Sequence, residues 1–331
     1  MGSMTVDPEW VRAAVHYCSD RLLQEVECRS VNAAEAPPGR VLKRKAGAFP
    51  MVLHTNLGAF RFFVRRQHAG SSWMMTGELR RVGAFCGPIL HLPDVILLQK
   101  KRPAVALVPA VMEKDRPGLP LVERLAAATP EERGVLARHA ALVIREFDRL
   151  LPARVDVELE CHDILAVRHA STSPLPLSVA AQIRDWIVRW QSFMERERTG
   201  FTPRDYWTNL LVGVPLFQTG RPLSLSLVDI GESYKPASAG ERLAQALIMC
   251  KYEVAWSTSD KQSWMMELTE ACVEREVDLT SVRLYLGLWG IRRRLWQSSS
   301  TTDLSEPCEL IRTVRPTKTP EAAVEACLEL A

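Results

Sequence analysis

Apolar residues recur at helical spacing over residues 7–27 and then give way to a different period. Asp7 precedes Pro8 there, which predicts an N-cap followed by proline in the first helical turn. Residues 31–40 contain paired prolines and a glycine and are predicted to form a linker. Residues 41–68 carry short runs of β-branched and aromatic residues divided by turn residues, which is typical of an antiparallel meander.

Five strands are predicted in the first part of the chain. They lie at residues 41–44, 51–54, 60–65, 95–99 and 104–108. A helix at residues 71–82, which carries Glu78, is predicted between the third and the fourth of them. This part of the chain is therefore predicted to be an antiparallel sheet with one embedded helix.

After Glu113 the apolar spacing is helical almost throughout. Helices are predicted at residues 121–127, 130–151, 178–197, 238–256, 264–277, 279–297 and 320–330. Ser178 is a predicted N-cap, and two short apolar strands interrupt the helices before residue 238. The tail from Ser298 is rich in serine, threonine and proline and is predicted to be loosely ordered up to the last helix.

Strands that come first and helices that follow predict the fold class α+β, with two lobes. The predicted divisions are 1–39 for an N-terminal helix and linker, 40–114 for a lobe built on a five-stranded antiparallel sheet, and 115–331 for a mainly helical lobe. Because a cleft between two lobes is a common place for a ligand, we expect the functional site there.

Composition narrows the function classes only slightly. The chain has 331 residues, of which 47% are hydrophobic and 24% charged, as in an ordinary globular protein with one or two domains. The net charge of +3 is too small to indicate nucleic acid as a partner. The sequence has no apolar run of transmembrane length and no signal-peptide pattern, so a cytoplasmic location is predicted.

The eight cysteines are scattered singly along the chain and form no Cys-x-x-Cys pair. Most stand among apolar residues, as Cys250 does after Ile248 and Met249. This distribution is typical of buried thiols in a reducing compartment, and it lacks the paired spacing from which zinc sites are built.

The residues that point most directly to chemistry lie in two stretches of the helical region. Asp205 and Asn209 precede the apolar run Leu210-Leu211-Val212, and a second apolar run ends in Asp229-Ile230-Gly231. Phosphoryl transfer uses one carboxylate to orient the attacking hydroxyl, and an amide and a second carboxylate to hold Mg²⁺ on the phosphates. Asp205 is therefore a candidate catalytic base, and Asn209 and Asp229 are candidate metal ligands.

Each of these residues also has a structural interpretation. Asp205 equally fits a solvated loop carboxylate or a helix cap, and Asp-x-Gly after a strand is common turn punctuation. His162-Asp163, before an apolar stretch, is a rival catalytic segment, but no Asp-x-Gly follows it at a suitable distance.

Aromatic and basic residues in the later helices also allow two interpretations. Trp186, Trp190, Tyr285, Trp289 and Trp296 recur at helical spacing and are predicted to pack in the core. Arg292-Arg293-Arg294 beside Trp296 indicates either a surface for an anionic membrane or phosphorylated acceptor, or a solvated helix end that favours cations.

The order of elements and the acidic motifs resemble the protein-kinase-like fold, and more narrowly the lipopolysaccharide core sugar kinases and the aminoglycoside and choline phosphotransferases. The resemblance covers roughly residues 40–295. Pro203-Arg204-Asp205 stands where these proteins have His-Arg-Asp or His-Gly-Asp. Asn209-Leu210-Leu211-Val212 is similar to their metal-binding Asn-Ile-Leu-Val, and Asp229-Ile230-Gly231 is similar to their Asp-Phe-Gly.

The strand-rich region carries the other half of the resemblance. The stretch 58–66 resembles the third strand of such kinases, and Arg65 stands at the place of their phosphate-binding lysine. Glu78 resembles the helix glutamate that pairs with that lysine, and the stretch from Ala106 to Glu113 resembles the strand and hinge that hold adenine. The resemblance therefore implies ATP and Mg²⁺ as cofactors, with Arg65, Glu78 and Glu113 at the nucleotide.

The activity that the resemblance implies is ATP-dependent phosphotransfer to a hydroxyl of a small molecule or glycolipid, with a lipopolysaccharide core sugar preferred. A glycolipid acceptor would add a peripheral contact with an anionic inner membrane. Three departures motivate a second hypothesis, a catalytically inactive pseudokinase that binds or scaffolds: Arg65 replaces lysine, Pro203 replaces histidine, and the interval from Asp205 to Asn209 is one residue short. A third interpretation is that strand and turn composition alone produces the motifs.

Overall fold

The structure is a computed structural model of the chain. It describes residues 6–33, 48–66, 90–91, 96–98, 105–109, 119–150, 175, 177–194, 199–203, 210–212, 225–227, 234–297 and 303–330. The chain divides into two compact units. The first comprises Met1–Cys86 and His91–Pro117, and the second comprises Gly87–Leu90 and Gly118–Ala331.

The helices and strands are numbered in chain order. The helices are α1 (Pro8–Leu22), α2 (Leu121–Ala126), α3 (Pro130–Leu150), α4 (Leu177–Met194), α5 (Ala239–Glu253), α6 (Thr258–Val273), α7 (Val282–Gln297), α8 (Ser305–Arg312) and α9 (Pro320–Leu328). The strands are β1 (Cys28–Ala33), β2 (Ala48–Thr55), β3 (Gly58–Arg66), β4 (Leu90–His91), β5 (Ile96–Leu98), β6 (Val105–Pro109), β7 (Leu119–Pro120), β8 (Thr199–Pro203), β9 (Leu210–Val212), β10 (Leu225–Leu227) and β11 (Tyr234–Ser238).

Helix α1 begins where the sequence predicts and ends earlier. The Asp7 carboxylate accepts a 2.9 Å hydrogen bond from the backbone N–H of Glu9, and Pro8 is the first helical residue. Leu23 has a φ of 52°, in the left-handed region that commonly ends helices. The predicted extension of this helix to residue 27 is therefore wrong.

The sheet of the first unit has five described strands, all paired antiparallel, in the order β1-β2-β3-β6-β5. The predicted strands near 51–54, 60–65, 95–99 and 104–108 are confirmed as β2, β3, β5 and β6. The edge strand β1 covers residues for which the sequence predicts no strand, so the linker prediction is wrong for residues 31–33. The predicted strand at 41–44 lies outside the described residues.

The core of the first unit lies between α1 and one face of this sheet. Its buried side chains are Trp10, Ala14, Cys18, Val26, Met51, Leu53, Phe60, Phe62, Val64 and Leu107. The Tyr17 ring of α1 meets the Phe62 ring edge-on, with centroids 6.3 Å apart. Every second residue of β3 from Phe60 to Val64 is buried, as the alternation of side chains along a strand requires.

The second unit is organised around α5, which is buried on every side from Ala239 to Cys250. It packs against α3, α6, α7 and α9. The sequence predicts this helix at 238–256, and the structure confirms it with Ser238 as its N-cap. A helix that is covered all round belongs to the interior of a large unit rather than to its surface.

Several predicted boundaries in the second unit are wrong by part of an element. Helix α4 begins at Leu177, so Ser178 lies inside the helix and is not its N-cap. Helix α6 begins at Thr258, well before the predicted start at residue 264, and Ser257 caps it. The paired strands β8 and β11 lie where the sequence predicts no strand.

Helix α8 lies in the stretch that the sequence predicts to be loosely ordered, and this prediction is wrong. Its buried residues are Pro307, Leu310 and Ile311. Gly287 of α7 permits its close approach, because a Cβ at this position would lie 2.6 Å from Cγ1 of Ile311 and 2.7 Å from the carbonyl oxygen of Pro307. The Trp190 indole N–H of α4 also donates a 2.8 Å hydrogen bond to the carbonyl of Ile311.

The predicted fold class is confirmed as α+β, with a five-stranded antiparallel sheet in the first unit and a mainly helical second unit. Among the helices described, none combines the length and apolar character needed to cross a bilayer.

Candidate active site

The six candidate site residues differ in how the structure bears on them. Arg65 lies in β3, where the backbone is described. The other candidates lie outside the described residues, as does the rival pair His162-Asp163: they are Glu78, Glu113, Asp205, Asn209 and Asp229. Their roles remain predictions. The structure does describe the pairing of strands that lie close to several of them in the sequence.

Arg65 occupies an inner strand of the sheet of the first unit. Its backbone is opposite Ala48 of β2 on one side and Ala106 of β6 on the other. Strand β6 ends at Pro109, and Glu113 follows a few residues later in the sequence. The strand that carries Arg65 therefore lies beside the strand that leads to the predicted adenine-binding hinge.

Asn209 and Asp229 are close in sequence to the two strands of one antiparallel pair. Strand β9 pairs antiparallel with β10, and Leu210 lies opposite Leu227. Asn209 is the residue before Leu210, and Asp229 is the second residue after Leu227. Because opposite residues of an antiparallel pair lie about 5 Å apart, the chain reaches both positions from the same end of this pair.

A second strand pair joins the other ends of the same two segments. Strand β8 pairs antiparallel with β11, and Pro203 lies opposite Tyr234. Residues 204–209 connect β8 to β9, and residues 228–233 connect β10 to β11. The residues that flank the two segments are therefore paired, Pro203 with Tyr234 and Leu210 with Leu227. The segments are of equal length, and their sequences contain Asp205, Asn209 and Asp229.

Strand β11 leads into α5 through a group of buried polar residues. The Ser238 hydroxyl oxygen accepts a 3.0 Å hydrogen bond from the backbone N–H of Glu241. One carboxylate oxygen of Glu241 accepts hydrogen bonds from the Gln245 amide at 3.1 Å and from the Trp289 indole N–H at 3.2 Å. The Ser-x-x-Glu spacing at 238–241 is a capping signature that the sequence analysis missed, whereas nothing in the sequence marks Glu241 as buried.

Arg242, the next residue of α5, has a side chain that is 0% exposed. Its Nε donates a 3.0 Å hydrogen bond to the carbonyl of Ile144 in α3, and its Nη1 donates a 2.9 Å bond to the carbonyl of Ala237 in β11. Its guanidinium carbon lies 5.7 Å from the centre of the Phe147 ring. The guanidinium thus connects three elements of the second unit through directional bonds.

The basic stretch at the end of α7 makes ion pairs within the chain. Arg293 lies 2.5 Å from a carboxylate oxygen of Glu253, and Arg294 pairs with Glu306. These pairs favour the structural interpretation of the stretch, because a guanidinium that already holds a carboxylate gains less from an anionic membrane or a phosphorylated acceptor. The packing predicted for Trp190 and Tyr285 is confirmed, since both are fully buried.

The cysteines with a described environment are free thiols, and four of them are buried. Burial raises the pKa of Cys18 to about 11 and the pKa of both Cys250 and Cys327 to about 12. These three thiols stay protonated at neutral pH and are therefore poor nucleophiles and poor metal ligands. In the described part of the chain, no group of three His, Cys, Asp or Glu side chains is placed to hold a metal ion.

No protein-family model and no curated protein match the chain. Among solved structures, an ethanolamine kinase from Plasmodium vivax is similar at 10% identity and a TM-score of 0.48, over 97% of this chain and 85% of that chain. A spectinomycin phosphotransferase in complex with ADP and spectinomycin is similar at 12% identity and a TM-score of 0.44, over 96% of this chain and 97% of that chain.

A third solved structure, an aminoglycoside-3'-phosphotransferase of type VIII, is similar at 17% identity and a TM-score of 0.45, over 84% of this chain and 97% of that chain. Identities of 10–17% with such TM-scores carry no residue role and no substrate from one protein to another. The fold described above therefore rests on its own strands and helices, whose order agrees with the predicted protein-kinase-like layout.

Proposed function

We propose that this chain is an ATP-dependent phosphotransferase whose acceptor is a hydroxyl group of a small molecule. The observation that carries the proposal is the pair of segments 204–209 and 228–233, which the β8–β11 and β9–β10 pairs join at both ends. The two segments contain the carboxylate, the amide and the second carboxylate that phosphoryl transfer requires.

In this proposal Asp205 orients the acceptor hydroxyl and takes its proton. Asn209 and Asp229 supply an amide oxygen and a carboxylate, which are the hard oxygen ligands that Mg²⁺ prefers. Bound Mg²⁺ would neutralise charge on the phosphates. Arg65, supported by Glu78, contacts the nucleotide phosphates, and Glu113 lies at the adenine. The contribution of the protein is then mainly positioning and charge neutralisation.

The preferred acceptor is a sugar of the lipopolysaccharide core, and the place of action is the cytoplasm. The acceptor preference comes from the sequence resemblance in the third strand and in the Arg204-Asp205 segment, and the location comes from the predicted lack of a transmembrane run and of a signal peptide. A peripheral contact with the anionic inner membrane would follow from a glycolipid acceptor. Arg293 and Arg294 do not support that contact, because both are paired with carboxylates of this chain.

A pseudokinase that binds or scaffolds is the second candidate, and Pro203 favours it. This residue ends β8, opposite Tyr234, in the place where the resemblance expects histidine. Titration of the chain with ATP and Mg²⁺, followed by thermal shift, is the first experiment. A rise in melting temperature that saturates with ATP is expected for the phosphotransferase and for a pseudokinase that binds nucleotide. No rise would reject the phosphotransferase.

Transfer of the ATP γ-phosphate is the second experiment, measured over a panel of core sugars, aminoglycosides and small alcohols. Asp205→Asn should lower the rate by roughly 100-fold or more and leave the ATP affinity within about twofold, because a neutral amide cannot take the proton. Asp185→Asn, a change at an exposed position of α4, is the matched control. An unchanged rate in Asp205→Asn would reject the assigned base, and ATP binding without any transfer would favour the pseudokinase.

A further inference from the structure

Arg242 is a buried charged residue that the proposed chemistry does not use. Two buried carboxylate residues belong to the same region: Glu241 precedes it in α5, and Glu146 follows Ile144 by two residues in α3. A well-packed apolar side chain often stabilises a protein as much as a buried ionic group does. Stability alone therefore does not explain why a buried arginine is present at position 242.

The bonds of Arg242 to Ala237 and Ile144 go to elements that contact β8. Ala237, whose carbonyl accepts from Nη1, lies opposite Gly200 in the β8–β11 pair. Ile144, whose carbonyl accepts from Nε, belongs to α3, which packs against β8. The guanidinium is thus bonded to the strand that pairs with β8 and to a helix that packs against β8.

Strand β8 ends at Pro203, and Asp205 is the second residue after it. On the other side, β11 begins at Tyr234, directly after the segment that carries Asp229. A displacement of this strand pair would therefore move one end of each segment. A misplacement of about 1 Å at a reacting group can lower the rate by up to roughly 100-fold.

We propose that Arg242 is a positioning residue that sets the place of Asp205 and Asp229 through the β8–β11 pair. This inference rests on the proposed phosphotransferase function. In this role Arg242 acts through its bonds to the main-chain carbonyls of Ala237 and Ile144, and it is not assigned a contact with the nucleotide or the acceptor.

Arg242→Lys is the test, since it keeps the charge but lacks the planar fork that reaches both carbonyls. We expect kcat to fall roughly 10-fold while the KM for ATP stays within about twofold, because placement changes and nucleotide contacts do not. Amide hydrogen exchange should become faster in residues 199–203 and 234–238. Phe147→Leu, which removes the ring beside the guanidinium, should lower kcat less and in the same direction.

Trp190→Phe is the matched control, because it removes another buried hydrogen bond, the one to the carbonyl of Ile311 in α8. It should lower the melting temperature comparably and leave kcat within about twofold. Wild-type kcat in Arg242→Lys, or an equal loss of kcat in Trp190→Phe, would overturn the proposal. If Arg242→Lys does not fold, wild-type kcat in Phe147→Leu would overturn it.

The two proposals can fail separately. If the wild-type chain transfers no phosphate to any acceptor, the proposed function fails. The exchange measurement then still decides the role of Arg242 in the β8–β11 pair, and unchanged exchange in both strands would overturn that role as well.

Discussion

The two units of this protein bury different kinds of side chain. In the described part of the first unit, Thr55 is the one buried polar residue, and its hydroxyl serves the turn between β2 and β3. The described part of the second unit buries a larger set: Glu146, Ser238, Glu241, Arg242, Gln245, Thr269, Ser281 and Thr317.

The two units therefore differ in the interactions that stabilise them. An apolar core such as that between α1 and the sheet is stabilised mainly by burial, which has no preferred direction. Buried hydrogen bonds such as those of Glu241 and Arg242 have fixed lengths and angles, and each donor or acceptor left unpaired is costly. The second unit is therefore the part in which precise placement of the main chain is favoured, and it carries the predicted base and metal ligands.

Glu241→Leu is expected to have the largest effect on this comparison. It should lower the free energy of unfolding by about 2–5 kcal/mol, because the Trp289 and Gln245 N–H groups lose their acceptor inside the unit. Met51→Leu in the first unit places the same residue at another position that is 0% exposed, and should cost less than about 1.5 kcal/mol. Urea unfolding followed by circular dichroism measures both, and equal losses would remove the distinction between the units.

Glycines in the two units are also expected to differ in what a substitution costs. Gly287→Ala should cost about 1–3 kcal/mol, because the new methyl group meets the main chain of Pro307 and the side chain of Ile311. Gly58→Ala in the first unit meets no atom within 4 Å, and should cost about 1 kcal/mol through its φ of +125° alone.

Gly134→Ala is the control for the helical glycine, and thermal unfolding of all three variants is the measurement. Its new methyl group would meet the carboxylate end of Glu267 at 2.9 Å and Nη1 of Arg138 at 3.6 Å. Both are the far ends of flexible side chains, so we expect a change within about 0.5 kcal/mol or a slight gain from helix propensity. A Gly134→Ala loss as large as that of Gly287→Ala would show that close packing by α8 is not the cause.

Alkaline pH tests the buried thiols. The folded-state pKa of Cys327 is about 12 against an ordinary value of 9.0, so the unfolded thiol ionises first as the pH rises. Its contribution to stability is complete below pH 9.0 and is lost between pH 9.0 and about 12. From pH 8 to pH 10 each such thiol should cost about 1.4 kcal/mol, and the second unit contains Cys250 as well.

Cys327→Ala should therefore reduce the loss of stability between pH 8 and pH 10 by about 1.4 kcal/mol, whatever its effect at neutral pH. Cys28→Ala, at an exposed position, should leave this loss unchanged. Urea unfolding at the two pH values measures the difference, and the same loss in wild type and Cys327→Ala would contradict the expectation.

Helix caps compare the two units at the starts of α5 and α1. Ser238→Ala removes a buried acceptor at the start of α5 and should cost about 1–2 kcal/mol. Asp7→Ala removes the partly exposed cap of α1 in the first unit and should cost about 0.5–1 kcal/mol. Thermal unfolding measures both, and the reverse order would indicate that burial does not strengthen the cap of α5.

The elements predicted correctly are those whose own residues specify them. Asp7 and Pro8 start α1, the alternation from Phe60 to Val64 marks β3, and apolar spacing marks α3. Strands β8 and β11 contain glycine or proline, which disfavour strands, so only their pairing with each other makes them strands. Sequence alone could not predict them for this reason.

The candidate site was predictable as a set of residue types and not as an arrangement. The spacing of Asp205, Asn209 and Asp229 indicates phosphoryl transfer because the chemistry needs these groups. That the segments carrying them are joined at both ends depends on β8 and β11, which were not predicted. The burial of Glu241 and Arg242 was equally unpredictable, because charged residues are rarely buried.

The α+β class, the order of strands and helices, most helices of the second unit and the residues available for chemistry follow from the amino-acid sequence alone. These properties depend on local period and on residue type, which a single chain displays directly. The tertiary structure decided which marginal stretches became ordered, namely β1, β8, β11 and α8, and which polar groups were buried. The order and the burial of these stretches depend on contacts with residues distant in the chain, as α8 depends on Gly287 and Trp190. Such contacts cannot be deduced from the local sequence pattern.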